Sequence, residues 1–304
     1  KYPAKWGVQI AEMIFQTRSN TITGKDTNHM SQSSFGNKFK VTTWGESHGK
    51  ALGAVIDGCP AGLPLCEEDI QKFLDRRKPG QSRYTTARKE GDLVEILSGV
   101  FEGKTTGTPI SLMVRNTDQR SRDYGNIAYS YRPGHADYTF DQKYGFRDYR
   151  GGGRSSGRET IGRVAAGAIA SKILGELGIS ICTYTKSIGP VKISSFDREE
   201  INQNAFYMPD AQAAAKAGEY LEECMKNQDS AGGVIECRIT GTPAGLGEPV
   251  FDKLSALLSH ALMSIGAVKA VEIGDGIAVT SLNGSTDNDG FTIKDGEIVK
   301  TSNH

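Results

Sequence analysis

Tyr149-Arg150-Gly151-Gly152-Gly153-Arg154-Ser155-Ser156-Gly157-Arg158-Glu159-Thr160 joins three glycines to an alanine-rich run, Ile161 to Leu177, that reads as helix. Ser156 and Glu159 have the spacing of a capping box, in which each side chain satisfies the other residue's backbone N–H. A mobile glycine loop therefore feeds a helix N-terminus, and Arg150, Arg154 and Arg158 crowd around it. Backbone N–H groups, the helix dipole and guanidinium forks all favour an anion at such a place. The stretch reads as a binding site for a phosphorylated or multiply anionic small molecule.

Outward from it, strands and helices alternate irregularly. Strand-like segments are expected at 39–44, 51–57, 93–101, 110–115, 179–184, 234–240 and 268–273, from their Val, Ile and Leu content. Helical spacing is expected at 67–77, closed by Pro79-Gly80, and at 211–227 and 249–263. Between Asn116 and Ala136 lies a long polar loop with a turn at Pro133-Gly134, and loops of that length are often functional. The mixture lacks the strict alternation of a doubly wound sheet and indicates an α+β class with stacked layers. Residues 1–29 differ in texture, and Met30 opens the part that runs into the first strand. Residues 1–29 are expected to be an N-terminal extension, vector-derived or disordered, with the core at 30–304.

The chain of 304 residues has 36 basic and 36 acidic side chains, a balance that argues against a nonspecific nucleic-acid or membrane binder. Its cations cluster instead: Arg76, Arg77, Lys78, Arg83, Arg88 and Lys89 stand against the single acid Glu90. Five cysteines, without a C-x-x-C pair, point away from a disulfide framework or a metal site and towards the cytoplasm. No apolar run approaches the roughly 20 residues that span a bilayer.

Two of the five histidines have settings that suit proton transfer. His48 lies in Gly45-Glu46-Ser47-His48-Gly49, after a strand, and His135 lies in Arg132-Pro133-Gly134-His135-Ala136-Asp137. A histidine gives or takes a proton near neutral pH, so a pair beside an anion pocket suits general acid catalysis. A Ser-His hydrolase is disfavoured, since Ser47 adjoins His48 and no G-x-S-x-G elbow occurs. A P-loop ending at Gly103-Lys104-Thr105 lacks its first glycine and would put Phe101-Glu102 in the phosphate cradle. With Arg132 and the Arg154 loop, the 76–83 cluster supplies more cation than one phosphate requires. A ligand with phosphate and carboxylates, or two phosphorylated ligands, fits better.

With these stretches in view, the chain resembles the chorismate synthase family. The resemblance rests on Thr42 to Gly49, Arg76 to Thr86, Asn116 to Arg122, Arg132 to Tyr138, Gly151 to Gly167 and Pro243 to Gly276, in family order. It implies a layered β-α-β sandwich, a homotetramer, and conversion of 5-enolpyruvylshikimate 3-phosphate to chorismate by anti 1,4-elimination. It implies a requirement for reduced FMN, supplied from outside because no reductase domain is added. On this resemblance His48 protonates the departing phosphate and His135 stands against the reduced flavin. Ser47, Arg77, Arg83 and Arg132 are implied for substrate, with Arg77 and Arg83 also implied for NADP. Arg154, Ser155, Ser156, Gly266 and Ala267 are implied for FMN, although the family's usual Asn is Gly266 here. Family members continue past Ser302-Asn303-His304 into an arm with flavin-binding residues and a catalytic aspartate. Without that arm the expectation is weak flavin binding and little turnover. A competing reading takes the Arg-, Gly- and Tyr-rich span from Arg120 to Arg158 as a single-stranded RNA track.

Overall fold

The computed structural model describes residues 33–80, 84, 90–117 and 128–302. Its first elements are β1 (Ser34–Phe35), β2 (Lys40–Gly45), β3 (Ala51–Asp57), α1 (Glu67–Arg77), β4 (Val94–Ile96), β5 (Val100–Phe101), β6 (Lys104–Thr105) and β7 (Ile110–Arg115). Then come α2 (Asp137–Tyr144), α3 (Thr160–Glu176), β8 (Ser180–Ile188), β9 (Val191–Lys192), α4 (Ala211–Lys226) and β10 (Gly233–Thr240). The remainder holds α5 (Leu254–Met263), α6 (Gly284–Asp287), β11 (Phe291–Lys294) and β12 (Glu297–Lys300). The chain divides into two compact units, 1–239 and 240–304.

In the first unit a five-stranded sheet runs in the order β1-β2-β3-β7-β4, with every neighbouring pair antiparallel. Residues two apart in a strand share a face, so Leu52, Ala54 and Ile56 of β3 and Ile110, Leu112 and Val114 of β7 are buried together. Helix spacing gives the complementary surface: Ile70 and Leu74 of α1, and Ile161, Ala165, Ala168 and Ile169 of α3, complete one core. Helix α3 packs on β2, β3 and β7 and also meets β8, part of a second sheet ordered β10-β8-β9. The α+β class and its β-α-β layering are thereby realised. A smaller cluster joins Ala213, Ala214 and Ala217 of α4 to Met208, with Ile188 and Val191 against it.

Several elements differ from the sequence expectations. The strand over 93–101 is two strands, because Gly99 turns the chain with φ +82°. A helix begins at Leu254, not 249, since Val250 holds φ +70°, which a helix does not accept. Residues 268–273 are irregular: their β-branched content finds no ladder partner among the described residues. After Ala136 the polar loop gives way at once to α2, which stops at Gly145 in the left-handed conformation. In the second unit β11 and β12 form an antiparallel hairpin across Asp295-Gly296, both with positive φ. That is the two-residue turn whose twist suits paired strands.

Candidate active site

The site grows from the glycine run. Gly151, Gly152 and Gly153 have φ of +66°, +85° and +53°, three successive left-handed residues that only glycine adopts readily. Facing them is the turn between β2 and β3, where Gly49 N–H donates to Glu46 O at 3.1 Å. Ser47 and His48 of that turn are buried. A Cβ placed on Gly151 would overlap His48 Nδ1 and Cε1 and stand 3.3 Å from Ser47 Oγ. The glycine backbone is therefore pressed flat against the imidazole, and Ser47, His48 and the 151–153 turn form one constellation.

The capping box forms differently from the expectation. Ser156 Oγ accepts from Arg158 N–H at 3.3 Å and caps a short 3-10 turn, Gly157–Glu159, that leads into α3. Glu159 instead pairs with Arg163 one turn on, at 2.9 Å. The reciprocal bond is lost because the chain enters the helix through that tighter turn.

Each described arginine of this region is held by the protein. Arg154 donates to Gly45 O at 2.9 Å and to Thr43 Oγ1 at 2.6 Å, tying the loop to the end of β2. Arg150 forms a fork on Asp148, at 2.9 and 3.0 Å. Arg132 does the same on Asp137, at 2.9 and 2.8 Å, and a Cβ on Gly152 would stand 3.3 Å from it. The Arg132 bonds hold the Asp137 carboxyl down to about 2, against the pull of its burial. Arg147 bonds Asp141 at 3.1 Å and Ser130 O at 2.9 Å. Arg158 is buried, 2.9 Å from Glu90 Oε2 and 3.1 Å from Asp92 Oδ1. Arg77 donates to the other oxygen of Asp92 at 2.7 Å and to Thr160 Oγ1 at 3.2 Å. A track for RNA needs arginines turned outward; among the described arginines of that span Arg132, Arg147, Arg154 and Arg158 are turned inward on carboxylates and carbonyls and Arg150 alone is half exposed, which does not favour the RNA reading.

Beside the glycine turn is a cavity of about 540 Å³, within the usual size of a small-molecule site. Gly152, Gly153, Arg154 and Ser155 form one wall, and Phe140, Tyr144 and Phe146 form an apolar one. Glu46, Asp137, Arg147 and Asp148 close the remainder. Ser155 Oγ donates to Gly152 O at 2.7 Å. His135 is exposed on the turn before α2, with Nδ1 3.0 Å from Pro133 O, and its neighbours Ala136 and Asp137 line the cavity. Thus Ser47, His48, Arg132, Arg154 and Ser155 gather around one glycine turn, and Ser156 caps the next turn. Arg77 stands at the other end of the α3 entry, bound to Thr160. Arg83 and residues 118–127 lie outside the described residues, as do 1–32. Gly266 and Ala267 belong to the second unit, where Ala267 has φ +70°, an unusual conformation for a residue with a Cβ.

Sequence reasoning missed the aromatic wall and the carboxylates. Phe140 and Tyr144 sit four apart, the spacing that places both on one side of a helix, with Gly145 as its stop. That helix signal is carried by the sequence itself, directly after the polarity of the preceding loop.

A sequence model of the chorismate synthase family matches residues 39–304, and a model of a family of unknown function (DUF6783) matches residues 1–28. The chain is 67% identical over 277 residues to a chorismate synthase of Agathobacter rectalis, covering 90% of this chain and 76% of that protein. It is 64% identical over 278 residues to one of Lachnoclostridium phytofermentans and 56% over 276 to one of Chloroflexus aggregans, with the same coverage. A crystal structure of chorismate synthase superimposes with a TM-score of 0.74 at 34% identity, covering 88% of this chain and 77% of that one. Among the described residues no helix is long and apolar enough to cross a membrane.

Proposed function

The chain belongs to the chorismate synthase family, and we propose that the pocket between the Gly151–Ser155 turn and the Phe140–Tyr144 face is where chorismate is made. The substrate in this reading is 5-enolpyruvylshikimate 3-phosphate. The ring C–O bond to phosphate and one ring C–H bond break, a new C=C bond forms, and no net oxidation occurs. The class is a carbon–oxygen lyase acting on phosphate.

The observation that carries the reading is the burial of Ser47 and His48 against the glycine turn that borders the cavity. His48 delivers a proton to the leaving phosphate, and its burial keeps competing water away. His135, on the exposed turn, holds a proton at the mouth on the α2 side. The residues present fit a flavin: Phe140, Tyr144 and Phe146 offer apolar faces to a flat ring system. Gly152, Gly153, Arg154 and Ser155 line the same space. Reduced FMN, generated by a separate reductase, would supply electron density to the reacting ring and take it back. Arg132, fixed by Asp137, orients its charge at the border of the two ligands, while Arg77 and Arg83 serve the substrate's anionic groups. Gly266 and Ala267 are assigned to flavin binding on the family resemblance alone, and the assembly is a homotetramer.

The direct test is an anaerobic assay, on a chain that carries the family's C-terminal arm, with reduced FMN and the phosphorylated substrate, read by the absorbance of chorismate. Chorismate formation is expected, and its absence overturns the reading. His48→Ala is expected to lower kcat at least about 10²-fold with KM little changed; an intact kcat removes the acid role.

A further inference from the structure

Asn116 is the first residue after β7, and its backbone N–H donates to Lys50 O at 3.1 Å, where β3 begins. Its side-chain Nδ2 donates twice, to Glu46 O at 3.0 Å and to Gly49 O at 2.7 Å. Those carbonyls flank Ser47 and His48 on either side. The amide oxygen accepts from Arg158 Nε at 3.1 Å. The two carbonyls can only accept and the guanidinium can only donate, so the partners fix which way the amide points.

Arg158 is itself immobilised. Its other nitrogens meet Glu90 at 2.9 Å and Asp92 at 3.1 Å, and both carboxylates have 0% side-chain exposure. Asp92 holds a left-handed φ of +45° to reach Arg158 and Arg77 together. A buried charge network of this kind is an inefficient way to stabilise a fold, since desolvation opposes it. What it supplies is a fixed position. A line of bonds, buried at Arg158 and part-buried at Asn116, runs from the 90–92 segment through these two residues to the carbonyls around His48.

We propose that Asn116, anchored by Arg158, is a positioning residue that sets the place of the His48 imidazole for proton delivery. The proposal rests on the reading of His48 as the acid, and its test separates the two.

The chain has five histidines, few enough to follow each ring by NMR after labelling at Cε1. The His48 resonance is assigned by its loss in His48→Gln. In Asn116→Ala and in Asn116→Asp it should move by more than a linewidth, while those of His135 and His260 stay in place. Asp matches Asn in shape but cannot donate to the two carbonyls, so it separates clamping from space-filling. It also serves if the Ala variant does not fold. Turnover should fall about 10²-fold in kcat with little change in KM, the cost of a misplaced catalytic group. An unmoved His48 resonance in a folded variant, or wild-type behaviour of Asn116→Asp, overturns the clamp. If His48→Gln retains full turnover while the Asn116 variants still displace the resonance, the acid role falls and the clamp stands.

Discussion

At the scale of single residues, the site depends on what glycine lacks. A Cβ at Gly151 would occupy the space of the His48 ring, in a conformation that costs a side-chain-bearing residue about 1–2 kcal/mol. Gly151→Ala should leave the protein folded but drive His48 from its position, lowering kcat/KM by about 10²-fold or more in the anaerobic assay. A variant with unaltered kcat/KM would show that the contact has no catalytic weight. The Arg132–Asp137 fork makes a different prediction, one of pH. The Asp137 carboxyl is held at about 2 in the folded chain, below the ordinary 3.8. Its contribution to stability is therefore complete above the unfolded value and is lost as pH falls through about 2. Asp137→Asn should lower Tm most near neutral pH, and the gap from wild type should narrow as melts are taken towards about pH 2. A gap constant with pH would mean that the pair contributes shape and not charge. Much of this chemistry is legible in the sequence: a glycine run among arginines, and histidines flanked by glycine. What is not legible is which arginines face ligand. The acids that engage Arg132, Arg150 and Arg158 are Asp137, Asp148, Glu90 and Asp92, and only folding brings the last two across to Arg158.

At the scale of elements, α3 is positioned by one small residue. A Cβ on Gly162 would come within 2.8 Å of Gly53 O and 2.9 Å of Thr43 Cγ2, so glycine lets the helix lie directly on β2 and β3. Gly167, one face round, has nothing within 4 Å. The same substitution should then have opposite signs on one helix. Gly167→Ala should stabilise by up to about 1 kcal/mol through helix propensity. Gly162→Ala should destabilise by about 1–3 kcal/mol through overpacking. Denaturant melts of both variants decide it, and equal effects would refute the close approach. The elements most legible in the sequence, β3, α1 and β7, are those whose apolar period is buried on one side, Leu52-Ala54-Ile56 being the plainest. Those misread, 249–253 and 268–273, carry apolar residues whose conformation is set by local φ and by the lack of a ladder, neither visible in composition. The β11–β12 hairpin was missed although Asp295-Gly296 is a strong turn signal.

At the scale of the whole molecule, the two units differ in how they bury apolar surface. The first has an interior made from its own sheet and helices. In the second, no described side chain is buried, and α5 leaves Leu254, Leu257, Leu262 and Met263 substantially exposed, with Ile277, Phe291 and Ile293 beyond it. Some 65 residues without an interior do not form a stable unit, and an apolar surface of that extent in a working protein is ordinarily covered by a partner. A symmetric assembly of identical chains is the commonest cover, in keeping with the proposed homotetramer. Assembly is a mass-action equilibrium, so protection that depends on it must depend on protein concentration. Hydrogen exchange should therefore be slow across 254–263 in concentrated solution and accelerate as dilution separates the chains. Amides of β3 and β7, protected by an interior within one chain, should exchange at the same rate throughout. If the 254–263 amides exchange at one rate across the dilution that dissociates the assembly, identical chains are not what covers α5.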